Sequence, residues 1–174
     1  MRDDAMQMVT LGTLSLSSEA GIPAMRRKLL AVAQRLALSS SKATRLAAAA
    51  SDHAKSVIQS TALEMLVGLS GSGAEQALYV DFAAIHPGAD ALLQIGFDRV
   101  EPLINDQRSG WRASCKIDPI AKGNPTISWC QAAIAEQGVE ELVEALHELV
   151  ERYRNSRDRG AGYSHGPGGT GEGE

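Results

Sequence analysis

Residues 47–50 are four consecutive alanines inside a longer stretch, 42–60, where Leu46, Ala50, Ala54, Val57 and Ile58 recur at helical spacing. Alanine is the best helix former and the smallest side chain with a Cβ, so this stretch predicts a helix whose neighbours approach its backbone closely. Such a helix belongs in the middle of a fold. Three serines, Ser39, Ser40 and Ser41, stand ready to cap it. Aromatic residues make up only 4% of the 174-residue chain while 44% is hydrophobic, so the core is aliphatic, and the length suits one domain.

Other elements arrange themselves around that helix. Residues 8–17 alternate imperfectly and are rich in β-branched and apolar side chains, which predicts a first strand. Ser17 and Ser18 offer a cap, Pro23 suits a first turn, and Ile22, Met25, Leu29 and Leu36 repeat at helical spacing, which predicts a helix over 20–37. Two apolar runs, 63–69 and 78–85, flank Ser70-Gly71-Ser72-Gly73 and read as an antiparallel hairpin. Residues 89–104 fit neither period cleanly, with Gly96 and Pro102 as interruptions, and read as strand or short helix. A second hairpin is expected from 111–117 and 126–133, joined by residues 121–125. Alternation sets Trp111, Ala113, Cys115 and Ile117 on one face and separates Cys130 from Ile127 and Trp129, so Cys115 and Cys130 are expected as reduced core thiols.

Toward the end, Val139, Leu142, Leu146, Leu149 and Tyr153 repeat at three-four spacing, with Val143 and Val150 widening the stripe. That spacing predicts an amphipathic helix that either packs on its own sheet or pairs with a second copy in a parallel coiled coil or small bundle. Seven of the last fifteen residues are Gly, so residues 156–174 read as a disordered tail. The expected organisation is therefore a domain over 1–137, a possible dimerising helix over 138–155, and that tail. The expected class is an α/β sandwich: a mixed, largely antiparallel sheet with helices on one face, plus the C-terminal amphipathic helix.

Charge and composition narrow the function classes. A net charge of −4 gives no global attraction to nucleic acid or anionic lipid. No signal-peptide pattern and no long uncharged apolar run appear, so the expected location is the cytoplasm. Two cysteines and four histidines form no zinc-type spacing, and no metal site is expected.

Chemistry-bearing side chains are sparse. Asp52 and Ser56 lie four apart, so on a helix both project from one side. Asp52, His53 and Lys55 equally suit a solvated helix face. His53 has no Ser or Cys nucleophile tied to it by a motif, His86 reads as a turn residue before Pro87-Gly88, and His147 reads as surface. The Gly71-Ser72-Gly73 loop lacks the Lys-Ser/Thr ending of a phosphate loop. Arg152, Arg154, Arg157 and Arg159 are interspersed with Glu151 and Asp158, as on a solvated helix end.

Residues 43–56, ATRLAAAASDHAKS, resemble the N-box helix of Bergerat-fold (GHKL) ATP-binding domains, especially the anti-sigma-factor serine kinases and their histidine-kinase relatives. The family's Ser-Glu-x-x-x-Asn pattern places a catalytic or water-orienting Glu and a magnesium-binding Asn on one helix face, and Asp52 and Ser56 stand at those positions. Its Asp-x-Gly-x-Gly signature corresponds to residues 84–88, where Ala84 replaces the adenine-binding Asp and His86 the first Gly, leaving Gly88. The phosphate-cradling Gly-rich lid has no counterpart between Gly88 and Gly110. Residues 122–128, KGNPTIS, resemble the turn between the family's closing strands.

The resemblance spans residues 8–133 and implies a degenerate nucleotide site at Asp52, Ser56, His86 and Gly88, with no catalytic residue and no cofactor. It implies a non-catalytic regulator of bacterial signalling whose partner is a kinase, a phosphatase or an anti-anti-sigma-type protein; the spacing of the last helix adds a possible homodimer through 138–155. The alternative is a divergent ATP-dependent serine kinase or anti-sigma factor, with Asp52 as its acid and ATP and magnesium as its cofactors.

Overall fold

A computed structural model describes residues 7–83, 88–104, 109–121 and 124–164. Strand β1 (Met8–Leu16) leads through a 3-10 turn (Glu19–Gly21) into α1 (Ile22–Arg35) and then α2 (Ser40–Ile58). A hairpin of β2 (Leu63–Ser70) and β3 (Ala77–Phe82) follows. Next come α3 (Ala89–Gln94), β4 (Arg99–Ile104) and β5 (Ser109–Lys116), and the chain closes with α4 (Thr126–Ala135) and α5 (Val139–Ser164). The five strands form one sheet in the order β1-β2-β3-β5-β4, with every neighbouring pair antiparallel. The α/β sandwich expected from the element order is the fold observed.

Local chemistry explains the boundaries. Ser18 and Ser39 cap as their types suggest: the Ser18 hydroxyl accepts from the Ala20 N–H at 3.3 Å and the Ser39 hydroxyl from the Lys42 N–H at 3.1 Å. Alternation in β2 sends Leu63, Met65, Val67 and Leu69 into the core beneath α1 and α2. The ambiguous stretch 89–104 resolves into both readings, α3 and then β4, with Gly96 and Phe97 buried between them.

The opposite face of the sheet is covered by its own side chains. Tyr79 lies flat over Gly68, its directly paired neighbour, where a Cβ would come within 2.5 Å of the ring. Arg112 stacks 4.4 Å above the Tyr79 ring and donates twice to Asp81, at 2.7 and 2.8 Å.

Two expectations require correction. Residues 126–133 are not a strand, and β5 finds its hairpin partner in β4. Asn124 accepts the Thr126 N–H at 2.7 Å through its side chain and Pro125 sits at the helix entry, so a segment read as a turn is a helix start. Cys130 and Ile134, four apart, are the residues of α4 that become buried. The apparent alternation of Ile127 and Trp129 misleads because Trp129 remains on the surface, beneath the Arg35 guanidinium at 5.3 Å. The likeness of residues 122–128 to a turn between closing strands therefore does not extend to its structure, which over Thr126, Ile127 and Ser128 is helical. The second correction is the C-terminal helix, which continues beyond Asn155 to Ser164 through the first part of the expected tail. Residues 165–174 lie outside the described residues.

Candidate functional site

Helix α2 carries the residues singled out from the sequence. Its inner face, with Ala43, Leu46, Ala50, Ala54 and Val57, packs into the core. Its small residues permit the close approach that the alanine run predicts. A Cβ on Gly96, just after α3, would lie 2.3 Å from the Arg45 carbonyl oxygen. Ser51 is also buried; its hydroxyl lies 2.8 Å from the Ala47 carbonyl and accepts from Arg26 Nε of α1 at 3.2 Å.

Asp52 is exposed and Ser56 half-buried on the outward side of α2. The helix does bring the two together as their spacing predicts. Ser56, however, donates its hydroxyl to the Asp52 backbone carbonyl at 3.3 Å, a bond within the helix itself. Lys55 is exposed as expected, whereas His53 is not part of a solvated face. His53 is fully buried, its ring edge-on to Phe82 of β3 with centroids 4.8 Å apart and planes at 84°. It serves the core where the helix crosses the sheet.

Gly88 opens α3 in the left-handed region, φ +81°, and its carbonyl accepts from the Ala91 and Leu92 N–H groups at 3.1 and 3.2 Å. His86 lies outside the described residues. His147 is exposed on α5, as expected.

Among the described residues, two of the surface clefts lie beside α1 and α5. One, about 520 Å³, lies at the start of α1 and takes in Glu19, Ile22, Pro23, Arg26, Arg27, Leu30 and, from α2, Lys55. The other, about 640 Å³, lies between the end of β1 and α5; Glu64, Glu141, Glu144 and Glu148 give its wall an acidic character. Neither cleft has Asp52, Ser56 or Gly88 in its wall. Among the described residues no group of three or more His, Cys, Asp or Glu side chains could hold a metal ion.

The cysteines are the buried free thiols expected of them. Burial pushes the Cys130 thiol up to about 11, with the Arg35 charge opposing only in part. Burial likewise raises Cys115, opposed only in part by a hydrogen bond from the Asp98 backbone, and its thiol lies on the inner face of β5, 3.7 Å from the Gly96 carbonyl. Both thiols are held in the unreactive protonated form.

Sequence reasoning missed the polar seat of α5. Glu144 is buried and accepts from the Ser17 N–H at 2.6 Å, the Ser17 hydroxyl at 3.0 Å and the Ser18 N–H at 3.2 Å. Gly21 makes room for it, since a Cβ there would meet the carboxylate. One turn earlier Glu141 pairs with the buried Lys28 of α1. The available signal was the spacing of Glu141, Glu144 and Glu148, which share one helix side opposite the apolar stripe.

The sequence matches no protein-family model and no curated protein. Among the described residues, no helix is long and apolar enough to cross a membrane.

Proposed function

We propose that this protein is a cytoplasmic, non-catalytic regulator of bacterial signalling that works by binding other proteins. The observation that carries this reading is α5: Val139, Leu142, Val143, Leu146, Leu149, Val150 and Tyr153 are all exposed along one side of it. An uninterrupted apolar stripe on a surface helix is an interaction surface in waiting. The candidate nucleotide residues give catalysis little to work with. Asp52 stands on an open helix face, and Ser56 is engaged by its own backbone. In the Bergerat-fold reading this is a nucleotide site whose ligand residues have been replaced, and the fold persists as a platform for a kinase, a phosphatase or an anti-anti-sigma-type partner.

Titration calorimetry of Mg-ATP into the full chain tests this reading. Loss of a base anchor and a phosphate cradle, at about 1.5–3 kcal/mol for each charged hydrogen bond, leaves no affinity in the micromolar range. The expected result is no heat of binding. Saturable binding that Asp52→Ala weakens would overturn the reading in favour of a divergent serine kinase or anti-sigma factor.

A further inference from the structure

Positive charge is gathered on one pair of helices. Residues 17–60, which contain α1 and α2, hold seven Lys and Arg against two Asp and Glu, a local net of +5 in a chain whose net charge is −4. Lys28 and Lys42 are spent on Glu141 and Asp98. Three of the remaining cations, Arg26, Arg27 and Lys55, converge on the cleft at the start of α1, against the single carboxylate of Glu19 in its wall. Among the described residues, neither Arg26 nor Lys55 has a carboxylate partner.

The fold sets Arg26 in place before any ligand arrives. Its Nε donates to the Ser51 hydroxyl at 3.2 Å, and Ser51 is itself fully buried and donates to the Ala47 carbonyl at 2.8 Å. A guanidinium fixed through Nε keeps its two Nη groups for an outside acceptor, and a carboxylate is the planar acceptor that matches them. Lys55, one turn beyond Ser51 on α2, adds a second cation to the same wall. The rest of the cleft is apolar and recessed: Ile22 is only 6% exposed and Leu30 is half-buried. Its volume of about 520 Å³ is that of an ordinary ligand-binding cleft.

The wall also selects among anions. A single-stranded nucleic acid finds no aromatic side chain there to stack on, and its row of phosphates would run against Glu19. An anionic membrane calls for about four to eight clustered cations, with apolar groups that protrude into it, whereas these apolar groups lie below the rim. A carboxylate beside an apolar side chain satisfies both halves of the cleft, and an acidic stretch of protein presents that combination.

We propose that this cleft binds an acidic segment of a partner protein, with one carboxylate on the Arg26 guanidinium, a second at Lys55, and an apolar side chain against Ile22 and Leu30. The site lies apart from the apolar stripe of α5. It rests on the reading that this protein works by binding other proteins, and it names the chemistry of one such partner.

Fluorescence anisotropy of the full chain with the labelled peptide acetyl-Glu-Leu-Glu-Glu-Leu-Glu tests the site. Binding should saturate below about 1 mM and weaken with added salt. Lys55→Glu reverses a charge at an exposed position and should raise the dissociation constant at least about tenfold while keeping the native circular dichroism. Arg26→Ala should do the same, and the peptide with Gln at every Glu should bind the parent chain at least about tenfold more weakly. Amide shifts on titration should centre on residues 19–30 and 51–55. Absence of saturation, shifts centred elsewhere, equal affinity for the Gln peptide, or a Lys55→Glu chain that binds as the parent does would each overturn the site. Tighter binding of phosphatidylserine vesicles or of a single-stranded oligodeoxynucleotide, lost in Lys55→Glu, would overturn it in favour of a different ligand. Failure of the peptide leaves the broader reading standing, because that reading falls by Asp52-dependent Mg-ATP binding.

Discussion

Helices α2 and α5 carry apolar stripes of similar spacing, yet the first turns its stripe inward and the second turns it outward. In α2 the residues that meet the sheet are mostly small, so the backbone approaches closely and the remaining space is filled by Leu46, Val57 and the His53 ring against Phe82. In α5 the residues that meet the domain are carboxylates with specific partners, Glu141 on Lys28 and Glu144 on the Ser17 and Ser18 amides. Helical periodicity thus decides that a stripe exists. Which side docks is decided by what the rest of the fold offers, and here α1 offers the buried ammonium of Lys28 and the segment before it the Ser17 and Ser18 N–H donors.

The sharpest way to break this contrast is to shorten one leucine in each helix. Leu46→Ala should destabilise the fold by about 2–5 kcal/mol, as expected for a fully buried leucine. Leu146→Ala, measured by urea unfolding at a dilution where the chain is monomeric, should stay within about 0.5 kcal/mol of the parent. Equal losses at that dilution would mean that the α5 stripe is packed inside its own domain, and the contrast would fall.

Removing the polar seat comes next. Glu144→Ala takes one acceptor from three donors, two of them backbone amides, and should cost about 1.5–3 kcal/mol. Hydrogen exchange at Ser17 and Ser18 should accelerate along with exchange throughout α5. If stability falls but α5 stays protected, contacts other than the carboxylate hold the helix.

These two helices also show what a sequence makes legible. Residues 40–58 declared their helix, their inner stripe and the common side of Asp52 and Ser56, because period and capping serine point the same way. The burial of His53 was hidden: flanked by Asp52 and Lys55 it reads as polar, and its contact with Phe82 is made by a strand distant in sequence. In α4 the local signals conflicted, since Asn124-Pro125 serves a turn or a helix entry equally well and Trp129 mimicked a strand period from the surface. For α5 the stripe was legible while its direction was not, because the seat of Glu144 is built by residues more than 120 positions away.

A smaller effect probes how closely α2 is approached. Gly96→Ala would bring a Cβ within 2.3 Å of the Arg45 carbonyl oxygen, which neither backbone can yield without shifting α3 from α2. Overpacking of this kind should cost about 1–3 kcal/mol in urea unfolding. No position on α5 is expected to be as sensitive to a single methyl group on its apolar side, where the stripe faces solvent in the monomer. An Ala at 96 with unchanged stability would show that α2 is less tightly embraced than α5's contrast with it requires.

The smallest expected effect compares the polar ties of the two helices. Helix α2 has one at its start, where Lys42 Nζ donates to Asp98 at 2.7 Å and the Lys116 N–H donates to the same carboxylate at 2.9 Å. Burial pushes Asp98 up, but the Lys42 and Lys116 hydrogen bonds and the charges of Lys42 and Arg45 outweigh it and hold the carboxyl below its usual range. A carboxyl lowered by folding contributes stability above its unfolded value of about 3.9, and that contribution is lost as pH falls through the lower folded value. Because the pair is exposed to solvent, the contribution should be only about 0.2–1 kcal/mol. The stability difference between the parent chain and Asp98→Asn should therefore be constant from pH 8 to about pH 5 and shrink below about pH 4. A difference that instead grows on acidification would mean that Asp98 is strained against its neighbours and does not tie down the start of α2.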